Sequence, residues 1–87
     1  MKAVITVIGK DTVGIIAEVS GILYRNNINI LDISQTIMQD LFTMIMLVDM
    51  QGASVSDISE EIKTLEKNMN LSIHVQNEDI FNSMHRI

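Results

Sequence analysis

Four strand-length segments of this chain differ in a way that limits what it can fold into: two are apolar at both parities and two alternate. Lys2 to Ile8 and Phe42 to Val48 are nearly continuous apolar runs, the pattern of strands buried on both faces. Asn29 to Gln39 instead sets Leu31, Ile33 and Ile37 against Asp32, Ser34 and Thr36. Leu71, Ile73 and Val75 likewise alternate with Ser72, His74 and Gln76, so both segments read as half-exposed strands. Between these runs Ile15, Ile16, Val19, Ile22 and Leu23 recur at helical spacing through Tyr24, and Val55, Ile58, Ile62, Leu65 and Met69 repeat at three- and four-residue steps. Asn26-Asn27 stops the first helix and Gln39-Asp40 turns the central hairpin. Ser54 with Asp57 three residues on is a capping-box pair that marks the start of the second helix.

The resulting order is βαββαβ. Each βαβ crossover is right-handed and leaves a gap of one strand for the other unit to fill, which gives an antiparallel sheet of order 4-1-3-2. Strands one and three then lie centrally, and these are the two-sided apolar runs; the alternating strands fall at the edges. Pattern and topology agree on an α+β, ferredoxin-like sandwich. Residues Glu78 to Ile87 add a short amphipathic helix with Ile80, Phe81, Met84 and Ile87 on one stripe. The chain is thus expected to form one domain over residues 1–87, with a βαββαβ core at 1–76 and a helical extension at 77–87. Both core helices cover the same face of the sheet. The second apolar row of the third strand therefore needs cover from a second subunit or from the C-terminal helix.

Size sharpens that need. A chain of 87 residues, 47% apolar and without cysteine, buries only about 60 to 65% of its unfolded surface and has no disulfide to add stability, so a homodimer is expected. The net charge of -5 would repel a phosphate backbone, and Lys2, Lys10, Arg25, Lys63, Lys67 and Arg86 are scattered; both facts argue against nucleic-acid binding. No apolar stretch approaches the roughly 20 residues of a membrane span. No basic-then-apolar leader precedes the first strand, and a cytoplasmic location is expected. An enzyme would need a nucleophile with a base, paired carboxylates or a metal. His74 and His85 stand apart without ligand-spaced partners, so no catalytic residues, metal or cofactor are expected. Met38, Met44, Met46 and Met50 read as adaptable fillers of a small core.

One loop carries most of the functional information. Gly9-Lys10-Asp11-Thr12-Val13-Gly14 brings a carboxylate, flexible glycines and backbone amides to the start of the first helix, where anions are favoured. It fits neither Gly-x-Gly-x-x-Gly nor Gly-x-x-x-x-Gly-Lys-Ser/Thr. Asp11 or Thr12 could simply cap the helix, and Gly14 could simply permit close packing. Asp32, Ser34 and Thr36 form a polar row that reads as a solvated or subunit-facing strand surface.

Asp11, three residues before the helix-opening Gly14, with Asn29-Ile30 at a strand start some fifteen residues later, resembles the ACT regulatory domain. The run Ile30-Leu31-Asp32-Ile33-Ser34-Gln35-Thr36, the Phe42-Thr43-Met44 strand, Asp79-Ile80-Phe81 and Met84-His85-Arg86-Ile87 are similar to small stand-alone bacterial ACT proteins. They also resemble the N-terminal part of the glycine-cleavage transcriptional repressor. The resemblance implies a small effector, commonly an amino acid, bound between two domains by the first loop of one and the start of the second strand of the other. Asp11, Gly14 and Asn29 are the matching positions, and the amides around Gly14 and Ile15 at the helix start would complete the site. Val13 stands where the family often has proline, and Asp11 where amino-acid binders can carry asparagine; a carboxylate there favours an ammonium group. The resemblance further implies control of a metabolic enzyme or regulator. The alternative is a module of the same fold with no ligand, which docks on another protein.

Overall fold

The computed structural model describes residues 1–79. Its elements are β1 (Lys2–Lys10), α1 (Ile15–Arg25), β2 (Asn29–Met38), β3 (Leu41–Asp49), α2 (Val55–Met69) and β4 (Leu71–Asn77), in one antiparallel sheet of order β2-β3-β1-β4. This is the expected βαββαβ ferredoxin-like arrangement read from its other edge. Backbone at Glu78 and Asp79 is helical; the rest of the helix expected over Glu78 to Ile87 lies outside the described residues.

The core forms where one row of each strand meets the helices. Ala3, Ile5 and Val7 of β1, Phe42, Met44, Met46 and Val48 of β3, and Leu71 and Ile73 of β4 face Ile15, Val19, Ile22 and Leu23 of α1 and Ile58, Ile62 and Leu65 of α2. Met44, Met46 and Met50 are fully buried, as gap-filling requires. Met38 is not part of this filling: it stands 67% exposed on the β2 edge.

Helix ends follow from local chemistry. After α1, Asn27 adopts φ 59°; its N–H donates to the Tyr24 carbonyl and the Ile28 N–H to the Leu23 carbonyl, so the last turn closes as a Schellman motif on an asparagine. At the start of α2 the Asp57 carboxylate accepts the Ser54 N–H at 2.8 Å, the return bond expected of that pair. Two side chains tie the layers together. Glu61 of α2 accepts from Arg25 and from the Asn26 amide at the end of α1, and Glu66 of α2 accepts the Ile73 N–H of β4 at 2.9 Å.

One burial expectation, for β2, needs correction; the uncovered second row of β3 is as expected. The second row of β3 is not fully covered among the described residues: Leu41 and Ile45 are exposed, and Thr43 and Leu47 are half-buried. β2 is more open than a half-exposed strand, with only Ile30 partly buried. A register shift between Ile30 and Asp32 makes Leu31 the extra residue of a bulge. Ile30, Ile33, Gln35 and Ile37 therefore share the helix side, paired with Val48, Met46, Met44 and Phe42.

Candidate functional site

The loop after β1 is fixed to the β2–β3 hairpin by one short bond, from the Asp11 N–H to the Asp40 carbonyl at 2.7 Å. Gly14 follows at φ 98°, in the left-handed region where a side chain is strained, and it occupies the N-cap position of α1. No side chain caps that end. Neither Asp11 nor Thr12 takes the capping role open to them from sequence, so the first amides of α1 keep their donor capacity and the positive end of the helix.

These groups sit on the rim of a cavity of about 420 Å³ between the start of α1 and the helix side of β2. Asp11 and Gly14 line it together with the apolar Val13, Ile16, Ile37 and Phe42 and the polar Gln35. Ile15 is buried in the core, so only its backbone can serve this space. Val13, at the position where proline is common, is 97% exposed.

Asn29 is not part of this cavity. It pairs with Asp49, which pairs with Lys2, whereas Asp11 follows Lys10 at the other end of β1. Eight residues of extended strand put roughly 26 Å between the two levels. Asn29 instead borders a separate cleft with Tyr24, Asn27 and Gln51. The structure thus joins Asp11, Gly14 and the Ile15 backbone, and leaves Asn29 at the opposite end of the same subunit. Gln35 and Ile37 were missed as wall residues. Their parity with Ile33 was the available signal, since every second residue of a strand faces the same way.

Elsewhere an ion pair links the end of α1 to α2 at the surface. Glu61 is held below the usual carboxylate range, first by the Asn26 amide and next by Arg25, against a small opposing desolvation. Its salt bridge with Arg25 spans 2.9 Å between exposed side chains and contributes little. No group of His, Asp and Glu side chains among the described residues could hold a metal ion, and no described helix is long and apolar enough to cross a membrane.

A four-stranded antiparallel sheet of order β2-β3-β1-β4 with two helices on one face defines the ferredoxin-like class of small α+β domains. Residues 2–76 match the family model of the ACT domain. The chain is 60% identical over 89 residues to a UPF0237 protein of Clostridium perfringens, covering 100% of both. It superposes on the solved ACT domain protein from Streptococcus pneumoniae with a TM-score of 0.80 at 39% identity, covering 93% of each chain. A solved structure described as a glycine cleavage system transcriptional repressor gives a TM-score of 0.69 at 28% identity, with 86% of this chain and 44% of that one covered. The chain belongs to the ACT-domain family, among its small UPF0237 proteins.

Proposed function

We propose that this protein is a cytoplasmic, non-catalytic sensor that binds an amino-acid-like effector between two copies of itself and thereby regulates an enzyme or regulator of amino-acid metabolism. The observation that carries the reading is the uncapped start of α1, with Asp11 and Gly14, opening on the cavity beside β2. Backbone amides there can donate to a carboxylate, and Asp11 can accept from an ammonium group, so the two ends of a zwitterion have opposite partners at one rim.

The dimer supplies what one subunit lacks. β2 is an edge strand whose Leu31, Ile33, Ile37 and Met38 are exposed, a surface that favours pairing with another chain. Antiparallel pairing of two β2 strands about a two-fold axis at Ile33 and Ser34 sets Asn29 of one subunit opposite Met38 of the other. Met38 is two residues from Asp40, whose carbonyl holds Asp11. Asn29 of one subunit then approaches the loop of its partner, which reconciles its distance from Asp11 within a single chain.

A thermal-shift screen against amino acids, followed by calorimetric titration, tests the reading. Asp11→Ala and Asn29→Ala each remove one polar partner, a loss of about 1 to 3 kcal/mol, and should weaken binding roughly 5- to 150-fold with the fold intact. If both variants bind as tightly as wild type, the site lies elsewhere. If no amino acid raises the melting temperature, the ligand-free docking module replaces the sensor.

A further inference from the structure

The flank of α1 that looks away from α2 carries an exposed apolar stripe. Glu18 and Arg25 line the cleft between the two helices, and Ile15, Val19, Ile22 and Leu23 face the core. The remaining flank holds Ile16, Ser20 and Tyr24 at four-residue spacing, which stacks them on one side of the helix, with Val13 just ahead of the first turn. Ile16 is 38% exposed and Tyr24 85%. Beside them, on the helix side of β2, Ile33 and Ile37 are exposed as well. A single exposed apolar side chain is ordinary, but here several share one margin of the molecule, as at an interaction site.

The stripe links two hollows that lie apart in one subunit. Ile16 lines the cavity of Asp11, Gly14 and Ile37, and Tyr24 lines a cleft of about 240 Å³ with Asn27, Asn29 and Gln51. α1 thus runs beside β2 from the level of Ile37 to that of Asn29, with its midpoint, Ser20, level with the middle of the strand. The pairing proposed above turns the second copy about Ile33 and Ser34, so the two α1 helices run antiparallel and share a level at Ser20. Ile16 and Tyr24 each stand four residues from Ser20, about 6 Å along the axis. Tyr24 of the partner subunit therefore comes to the level of Ile16, and the cavity of one copy meets the cleft of the other.

We propose that Tyr24 of the partner subunit closes this joint space over the effector's side chain and makes it selective for an amino acid with a large apolar side chain, an inference that rests on the sensor reading above. The ring offers a broad apolar surface with few rotatable bonds to order, and its hydroxyl can stay in water. Val13, Ile16 and Ile37 supply the apolar surface opposite. An amino acid without a side chain gains from neither.

Calorimetric titration of the full chain with leucine, phenylalanine, glycine and aspartate tests the assignment. Leucine or phenylalanine should bind at least roughly tenfold more tightly than glycine and aspartate. Tyr24→Ala should weaken that tighter ligand roughly tenfold and leave glycine unchanged, while Tyr24→Phe, which keeps the ring, should bind like wild type. Asp11→Ala and Tyr24→Ala chains, unfolded together and refolded as mixed dimers, should recover wild-type affinity at roughly one site in four, because one site of each mixed dimer joins an intact loop to an intact tyrosine. Tyr24 is the single tyrosine of a chain without tryptophan, so quenching of its emission by acrylamide should fall as leucine or phenylalanine binds. Recovery of no site in the mixed dimers, unchanged quenching, or glycine or aspartate binding as tightly as the apolar pair overturns the proposal. Full affinity in Tyr24→Ala with weakened binding in Asp11→Ala overturns it too, and leaves the sensor reading standing. A wild type that binds none of the four overturns this inference, and the wider amino-acid screen then decides the sensor reading.

Discussion

Gly9→Ala probes the closest approach found at any of the four glycines. Gly9 lies between Phe42 of β3 and Leu71 of β4. A Cβ built there would come 2.6 Å from Leu71 Cδ2 and 3.2 Å from the Asn70 carbonyl oxygen. Carbon atoms meet favourably at about 3.5 to 4.0 Å, so the first contact is short by roughly 1 Å. Neither neighbour yields freely. Leu71 is packed in the core, and Asn70 is held in the left-handed conformation that ends α2, with its N–H on the Glu66 carbonyl. Overpacking of this kind costs about 1 to 3 kcal/mol, and each kcal/mol lowers the melting temperature of a domain this size by roughly 4 to 8 °C. Urea unfolding of Gly9→Ala, Leu71→Ala and the double variant locates the clash. Leu71→Ala alone should cost about 2 to 5 kcal/mol. In its background the Gly9→Ala penalty should shrink, giving a coupling of about 1 kcal/mol or more. An unchanged midpoint for Gly9→Ala, or the same penalty in both backgrounds, refutes the argument from Leu71.

Two further outcomes are expected. Met46→Ala empties a fully buried position in the centre of the sheet and should cost about 2 to 5 kcal/mol, read as a lower urea midpoint at unchanged slope. The lowered Glu61 carboxyl stabilises the fold at pH above the ordinary carboxylate range of the unfolded chain, and that contribution disappears as pH falls through the lower folded value. Glu61→Gln should therefore unfold at slightly less urea than wild type near neutral pH and match it in strong acid; a difference that persists in acid rejects this source of stability.

Sheet order was legible because the two central strands are apolar at both parities, as at Val4-Ile5 and Met46-Leu47, whereas β4 alternates throughout. The helices were legible from their stripes, and Asn26-Asn27 from the ease with which asparagine enters the left-handed region. Three features were hidden. The bulge at Leu31 has no sequence signal of its own, yet it moves Ile30 to the helix side. Surplus apolar surface was expected on the second row of β3, where Leu41 and Ile45 are exposed, but β2 is open as well, because α2 packs toward β4 and α1 meets β2 only along a narrow margin. Within the candidate site, Asp11 and Gly14 were readable from spacing. Their cavity was not, since it depends on where the first turn of α1 stops short of Ile37.

The bond from Glu66 to the Ile73 N–H also bears on how large an assembly this sheet can form. A sheet with two available margins adds strands at both ends, and copies joined in this way grow into a filament without a natural stop. Here one donor on the β4 margin is already engaged by a carboxylate of the same chain, and an incoming strand would have to displace it and confront its charge. Among the described residues, the β2 margin carries no such carboxylate on its backbone donors from another element, which makes it the easier one for strand addition. The β2 pairing proposed above would use the same margin on both copies and consume it in a single event, so growth through that margin would end at two copies.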